Sequence, residues 1–134
     1  MTSIAFRVAV ESDHSFIYNS WLRSFRNSPY ARCIPNEEYY EKQGKLITHL
    51  LSTGVTLLAV DPEDTNIIWG YVNYTLPTIN YVYTKFVFRK LGVAKNLVGA
   101  AVDLTGRVEV SHITHHINES RIIFNPKELS KHYA

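Results

Sequence analysis

Tyr81 to Leu104 reads YVYTKFVFRKLGVAKNLVGAAVDL, and this stretch decides the fold. Tyr81 to Phe88 is a run of aromatic and β-branched residues, which predicts a strand. Val93, Leu97, Ala101 and Leu104 recur at helical spacing, which predicts an amphipathic helix. Between them stands Arg89-Lys90-Leu91-Gly92-Val93-Ala94, a turn with two cations and one residue free of a Cβ. The first N–H groups of a helix lack internal partners, and its dipole favours anions there. Such a turn suits a phosphate. Gly92 lets backbone approach a phosphate oxygen closely, and Ala94 keeps the next turn uncrowded. A central place for this strand would bury Phe86, whose truncation would then cost about 3–5 kcal/mol.

The turn is neither a P-loop nor a dinucleotide-binding Gly-x-Gly-x-x-Gly. It resembles the R/Q-x-x-G-x-G/A signature of the GNAT superfamily of acyl-CoA-dependent N-acyltransferases. In that family the motif joins the fourth strand to the third helix and cradles the coenzyme A pyrophosphate. The resemblance implies acetyl-CoA as co-substrate. It implies cofactor contacts from Arg89, Lys90, Leu91, Gly92, Val93 and Ala94, and from the main chain near Thr84 and Phe86. The acceptor it implies is an amine on a small molecule or a protein.

Outward from this stretch, Ile4 to Val10 predicts a first strand. Ser12 is a helix N-cap candidate, and Phe16, Ile17, Trp21, Leu22 and Phe25 form an apolar stripe at helical spacing. Two prolines break the pattern between Ser28 and Pro35, and a second helix is predicted from Asn36. By resemblance, the connection between these helices helps line the acceptor site, where Arg23, Arg26, Tyr30, Arg32 and Tyr39 lie. Each of these is also an ordinary basic or aromatic surface residue. Val55 to Asp61 and Ile67 to Leu76 predict two strands. Together with the strand from Tyr81 they form an antiparallel meander. Gly70 marks a bulge or a close backbone contact in the second of them.

Arg107 to Thr114 predicts a fifth strand, parallel to the fourth through a right-handed crossover. In the GNAT fold these two strands splay apart, so that free backbone groups bond the pantetheine arm. The family's fourth helix, which often carries a tyrosine that protonates the departing thiolate, is shortened or absent here. Only His115 to Ser120 separates the fifth strand from Arg121 to Phe124, the predicted sixth, and Tyr133 stands in a polar tail. The expected fold is therefore an α/β domain over 1–134: a GNAT-like mixed central sheet flanked by helices. Its order is strand, helix, helix, three strands, helix, two strands.

Acyl transfer to an amine needs a positioned thioester, a polarised carbonyl and a deprotonated amine. By resemblance the base is a carboxylate on the fourth strand or a water chain, but this strand holds no carboxylate. Alternation puts Tyr81, Tyr83 and Lys85 on one face and Val82, Thr84 and Phe86 on the other. Tyr83, Glu109 and His112 remain as catalytic candidates, with His115 and His116 beyond, since histidine titrates near neutral pH. The run HITHH lacks a cysteine or well-spaced carboxylate, and no metal site is read from it.

Composition bounds the rest. The chain has 134 residues, 46% hydrophobic and 19% charged, which is an ordinary globular composition. A net charge of +2 makes no case for nucleic acid. Cys33 is the single cysteine and cannot form an internal disulfide. There is no membrane-length apolar run and no signal-peptide pattern, so a cytoplasmic protein is expected. Compact chains of this kind are also similar to phage-encoded GNAT members. An alternative is therefore a GNAT-fold protein, phage-encoded and catalytically inactive, that binds a protein partner.

Overall fold

The computed structural model describes residues 3–89, 91–101, 108–112 and 122–133. The elements are β1 (Ala5–Val8), α1 (His14–Phe25), α2 (Asn36–Thr53), β2 (Val55–Val60), β3 (Ile68–Thr75), β4 (Thr78–Thr84), α3 (Val93–Ala101), β5 (Val108–Val110), β6 (Ile122–Phe124) and α4 (Lys127–Tyr133). All the strands form one sheet in chain order, β1-β2-β3-β4-β5-β6. β1 to β4 are antiparallel neighbours. β4–β5 and β5–β6 are parallel. The predicted meander and the parallel crossover are both present. No helix among the described residues is long and apolar enough to cross a membrane.

Alternation along the strands divides the core in two. On one face, Leu58, Val60, Tyr71 and Tyr81 meet Ile17, Trp21, Leu22 and Phe25 of α1, Leu46, Ile47 and Leu50 of α2, and Leu129 of α4. On the other, Ala59, Trp69, Val72, Ile79 and Val110 meet Val93 and Leu97 of α3. The helical stripe read from the sequence is thus the buried face of α1. Ser12 does not cap it, because a short helical turn, Glu11–Asp13, leads into it. The Asp13 carboxylate accepts the Val10 N–H at 2.8 Å and both Arg7 terminal nitrogens at 2.7 and 3.0 Å. The Arg7 bond holds its pKa below the usual carboxylate value.

Two expectations are corrected. The first concerns β4, which ends at Thr84, and Phe86–Phe88 form a short helical turn instead of more strand. β4 leaves the ladder before β3 ends: Gly70 pairs with Thr84, and Lys85 N–H to Trp69 C=O at 2.8 Å is the last bond between them. Beyond that point Phe88 turns inward to stack on Trp69, with ring centroids 5.0 Å apart. Phe86 is left 80% exposed, so it is not a core residue. The second concerns the polar tail, which is helical from Lys127. Asn125 Oδ1 accepts the Lys127 N–H at 3.1 Å, Glu128 sits in the first turn, and Leu129 is buried against α2. His115 to Ser120, where the fourth helix was expected to be shortened or absent, lie outside the described residues.

Gly70 is a close contact. A Cβ there would lie 2.3 Å from the Tyr83 carbonyl oxygen. That oxygen is backbone and cannot swing away. Gly70→Ala is therefore expected to cost about 1–3 kcal/mol, at the upper end of overpacking penalties. It should also loosen the end of β4. Urea unfolding checks this, and an unchanged midpoint would mean that β3 and β4 do not approach as described.

Candidate functional site at the end of strand β4

The site is built where the β3–β4 ladder stops. Residues 85–88 coil tightly, with Phe88 N–H bonded to Lys85 C=O at 2.9 Å and Arg89 N–H to Phe86 C=O at 3.2 Å. Arg89 Nε donates to the Thr84 carbonyl at 3.1 Å, and its guanidinium carbon lies 5.6 Å from the Phe86 ring centre. Gly92 then takes φ +79°, the left-handed region, which side chains rarely adopt. Its carbonyl accepts the Asn96 N–H at 3.0 Å and the Asn96 side-chain amide at 2.8 Å. The N–H groups of Val93, Ala94 and Lys95 precede the first helical bond and have no acceptor within α3. Val93 and Leu97 anchor the helix in the core. Its first turn contains no acidic residue, so nothing there offsets the positive end of the dipole.

Among the described residues, the outer edge of β4 beside this turn has no paired strand. Among those same residues, parallel pairing with β5 covers Thr78 and Ile79, and Ser111 N–H reaches the Ile79 carbonyl at 3.0 Å. Lys85 N–H points to β3, so alternation turns the backbone groups of Val82 and Thr84 the other way. Among the described residues no strand pairs with them there. Thr84 Oγ1 is buried beside this edge with no hydrogen-bond partner in the described structure. Orphaned buried polar atoms are uncommon and call for an explanation.

Of the sequence-read residues, Thr84, Phe86, Arg89, Leu91, Gly92, Val93 and Ala94 come together in one turn. Lys90 lies outside the described residues, as do His115 and His116. Tyr83 is adjacent, its half-buried ring stacked on Tyr71 at 5.3 Å and edge-on to Phe16 at 6.2 Å. Glu109 is not brought to the turn. It pairs with Thr78, at the start of β4, roughly 20 Å from Thr84 at about 3.3 Å per residue. There it accepts bonds from Asn125 Nδ2 at 2.6 Å and Thr78 Oγ1 at 2.7 Å. Those bonds lower its pKa, Asn125 contributing most. Arg26 and Tyr39 are committed to the connection between α1 and α2. Arg26 bonds the Ala31 and Ile34 carbonyls and Asn36, and stacks on Tyr39, whose hydroxyl bonds the Leu22 carbonyl.

His112 is a core residue. Its ring packs on Phe25, Trp21 and Tyr81 with centroids 4.8, 5.5 and 6.1 Å away. Gln43 Nε2 lies 3.1 Å from Nε2, and Ser111 Oγ lies 2.8 Å from Nδ1. An amide nitrogen can only donate, so the neutral ring carries its proton on Nδ1. The polar chain continues through Ser111 to Asn80 and on to Asn73 and Thr56, and at its other end Tyr133 donates to Gln43 Oε1 at 2.8 Å. Sequence reading missed this seam, because Gln43 and Tyr133 carry no motif.

Desolvation lowers the His112 pKa to about 3 from 6.5. The unfolded chain therefore binds a proton that the folded chain refuses. The associated stability is complete above pH 6.5 and falls by up to about 1.4 kcal/mol per unit as pH drops toward 3. Asp13 and Glu109 have lowered pKa values from 3.8 and 4.5, so their contributions fade only at more acid pH. Between pH 6.5 and 4.5 the slope should therefore be carried mainly by His112. Urea midpoints across this window should be flatter in His112→Asn than in wild type, and equal slopes would contradict the buried neutral ring.

No protein-family model matches the chain, and no curated protein matches it by sequence. Its fold does match solved structures. A histone acetyltransferase HPA2 and related acetyltransferase from Corynebacterium glutamicum superposes with a TM-score of 0.58 at 18% identity, covering 80% of this chain and 74% of that one. A GCN5-related N-acetyltransferase from Rhodopseudomonas palustris gives 0.54 at 18%, over 75% and 64%. The GNAT family N-acetyltransferase YhbS from Escherichia coli, solved with CoA, gives 0.51 at 20%, over 75% and 55%. The match thus spans less than two-thirds of the length of the second and third of these proteins. Sheet order, the parallel β4–β5 pair and these superpositions agree: the chain has the GNAT fold.

Proposed function

We propose that this chain is an acyl-CoA-dependent N-acyltransferase using acetyl-CoA, with an amine on a small molecule or a protein as acceptor. The observation that carries the reading is the left-handed Gly92 at the start of α3, next to an edge of β4 that has no paired strand among the described residues. The residues present fit the co-substrate. Free N–H groups of Val93, Ala94 and Lys95 suit a pyrophosphate, with Arg89 and Lys95 adding charge. The backbone groups of Val82 and Thr84 suit the amides of a pantetheine arm, and Thr84 Oγ1 has no hydrogen-bond partner among the described residues. When bound, the co-substrate supplies an activated thioester. The chain's part is to hold it in line along β4 and to present a backbone N–H to the carbonyl oxygen as negative charge develops. Tyr83 is the candidate nearest this edge for moving a proton. Solved relatives of the same fold were determined with CoA and with AcCoA, which supports the reading by analogy.

The test is release of free thiol from acetyl-CoA in the presence of an amine panel, alongside direct binding of acetyl-CoA. Binding with amine-dependent thiol release supports the reading. No binding of acetyl-CoA or longer acyl-CoAs at millimolar concentration rejects it. One observation favours a second reading, a GNAT-fold protein that binds a protein partner without catalysis: Glu109 stands at the far end of β4 and His112 is sealed in the core, so neither reaches the turn. Binding of acetyl-CoA without turnover on any amine would favour it.

A further inference from the structure

Phe86 is a large aromatic held open to solvent next to the turn. The residue is 80% exposed, and Val87 and Leu91 nearby in the chain are 74% and 53% exposed. The ring does not hang free. Arg89 is fixed by its Nε on the Thr84 carbonyl and lies 5.6 Å from the ring centre, so a cation backs the aromatic and its position is set. Phe88, two residues on, is partly buried and stacks on Trp69. The coil at 85–88 therefore sorts its two phenylalanines, one into the core and one outward. The outward ring follows the end of β4 and precedes the free N–H groups of α3.

A flat apolar platform backed by a guanidinium, next to an anion-binding turn, complements a flat base joined to phosphates. Bases stack on aromatic faces whatever their hydrogen-bonding pattern, and a guanidinium can add to the stack. The cationic setting suits the charge of the same ligand, since no carboxylate stands in the first turn of α3. An alkyl chain would also gain from burying Val87 and Leu91, but it has no use for the planar face.

We propose that Phe86 is a stacking platform for the purine base of the nucleotide whose phosphates lie at Gly92. This rests on the acyl-CoA reading, in which the base is the adenine of CoA. Phe86 then fixes the nucleotide end of the ligand, while the end of β4 takes the other end. The exposed ring predicts that its replacement leaves the fold intact, so the effect falls on binding.

The experiment is titration calorimetry with CoA and with 4′-phosphopantetheine, which lacks the nucleotide, on wild type, Phe86→Leu and Phe86→Trp. Leucine keeps the apolar surface and removes the planar face. Phe86→Leu should weaken CoA about tenfold and leave 4′-phosphopantetheine unchanged. Phe86→Trp should bind CoA at least as well as wild type, with its fluorescence quenched by CoA and not by 4′-phosphopantetheine. If wild type and Phe86→Leu bind CoA equally, the stacking role is overturned while the acyl-CoA reading survives. If Phe86→Leu weakens both ligands alike, Phe86 shapes the turn and the stacking role is again overturned. If wild type binds neither ligand, the acyl-CoA reading itself fails and the stacking role fails with it.

Discussion

Gly92→Glu abolishes the thermal stabilisation that acetyl-CoA or CoA gives the wild-type protein: this is the expected result, and it has two separate causes. Gly92 sits at φ +79°. A side chain in that region costs roughly 1–2 kcal/mol, which pulls the turn away from its anion-binding shape. The added carboxylate also repels a pyrophosphate at the place where the backbone N–H groups should receive it. The fold itself should tolerate the change, because a Cβ at Gly92 meets nothing nearer than Asn96 Nδ2 at 3.6 Å. In wild type, ligand at a hundredfold excess over its dissociation constant adds about 2.7 kcal/mol, a shift of several degrees for a domain of this size. Acetyl-CoA and CoA should act alike, since the turn meets phosphates and not the acyl group. Arg89→Ala should lose less, because Arg89 already spends Nε on Thr84 and the backbone donors remain. Added salt should shrink the wild-type shift, as the contact is exposed and partly ionic. Differential scanning fluorimetry reads all of this. A Gly92→Glu protein that keeps the full shift would place the phosphates elsewhere.

Trp21→Ala is expected to cost about 3–5 kcal/mol, against a total of about 5–15 kcal/mol for a domain. Trp21 is fully buried, lies parallel to Tyr81 at 4.9 Å and 4°, and meets His112 edge-on at 5.5 Å. Its Nε1 is buried without a partner among the described residues. The loss is therefore one of area and packing, with no hydrogen bond broken. Trp21→Phe should consequently retain most of the stability. Phe86→Ala is the contrast, expected within about 0.5 kcal/mol of wild type as an exposed change. Urea unfolding of both variants gives the comparison. A Trp21→Ala loss below about 1 kcal/mol would mean that α1 does not pack over β4 as described.

Much of the fold could be read from the chain because the signals are local. Alternation and punctuation mark β2 and β3, and the length between β4 and β5 calls for a parallel crossover. Gly92 was legible as a turn residue, since its left-handed backbone is a property that only glycine adopts freely. The end of β4 was not legible. Phe86-Val87-Phe88 has strand composition, and what takes it out of the sheet is the helical turn that brings Phe88 back onto Trp69, a tertiary contact. α4 was missed because it is short and carries little apolar surface, although Asn125-Pro126 with Glu128 is a recognisable start. The catalytic candidates fared differently from the turn. Glu109 and His112 have suitable chemistry, but nothing in their local sequence says which end of β4 they face or how deeply they are buried. Only the parallel register with Thr78 and Ile79, and the rings around His112, place them.

Strand order that follows chain order also bears on how the protein folds. The β2–β3 and β3–β4 ladders close over the connections 61–67 and 76–77, so they need little chain to be restrained before contacts form. β1 must wait for α1 and α2 to be laid between it and β2, and β5 joins only after α3 has crossed the sheet. Loop closure grows costlier with length, and non-local pairing slows folding. The meander is therefore expected to form first, with both outer strands added later. On that route Asn73 is already bonded to Thr56 and Asn80 within the meander, and only the Asn80 side-chain oxygen waits for Ser111, so a chain stalled before β5 docks leaves one polar atom unpaired in a core that has already begun to close.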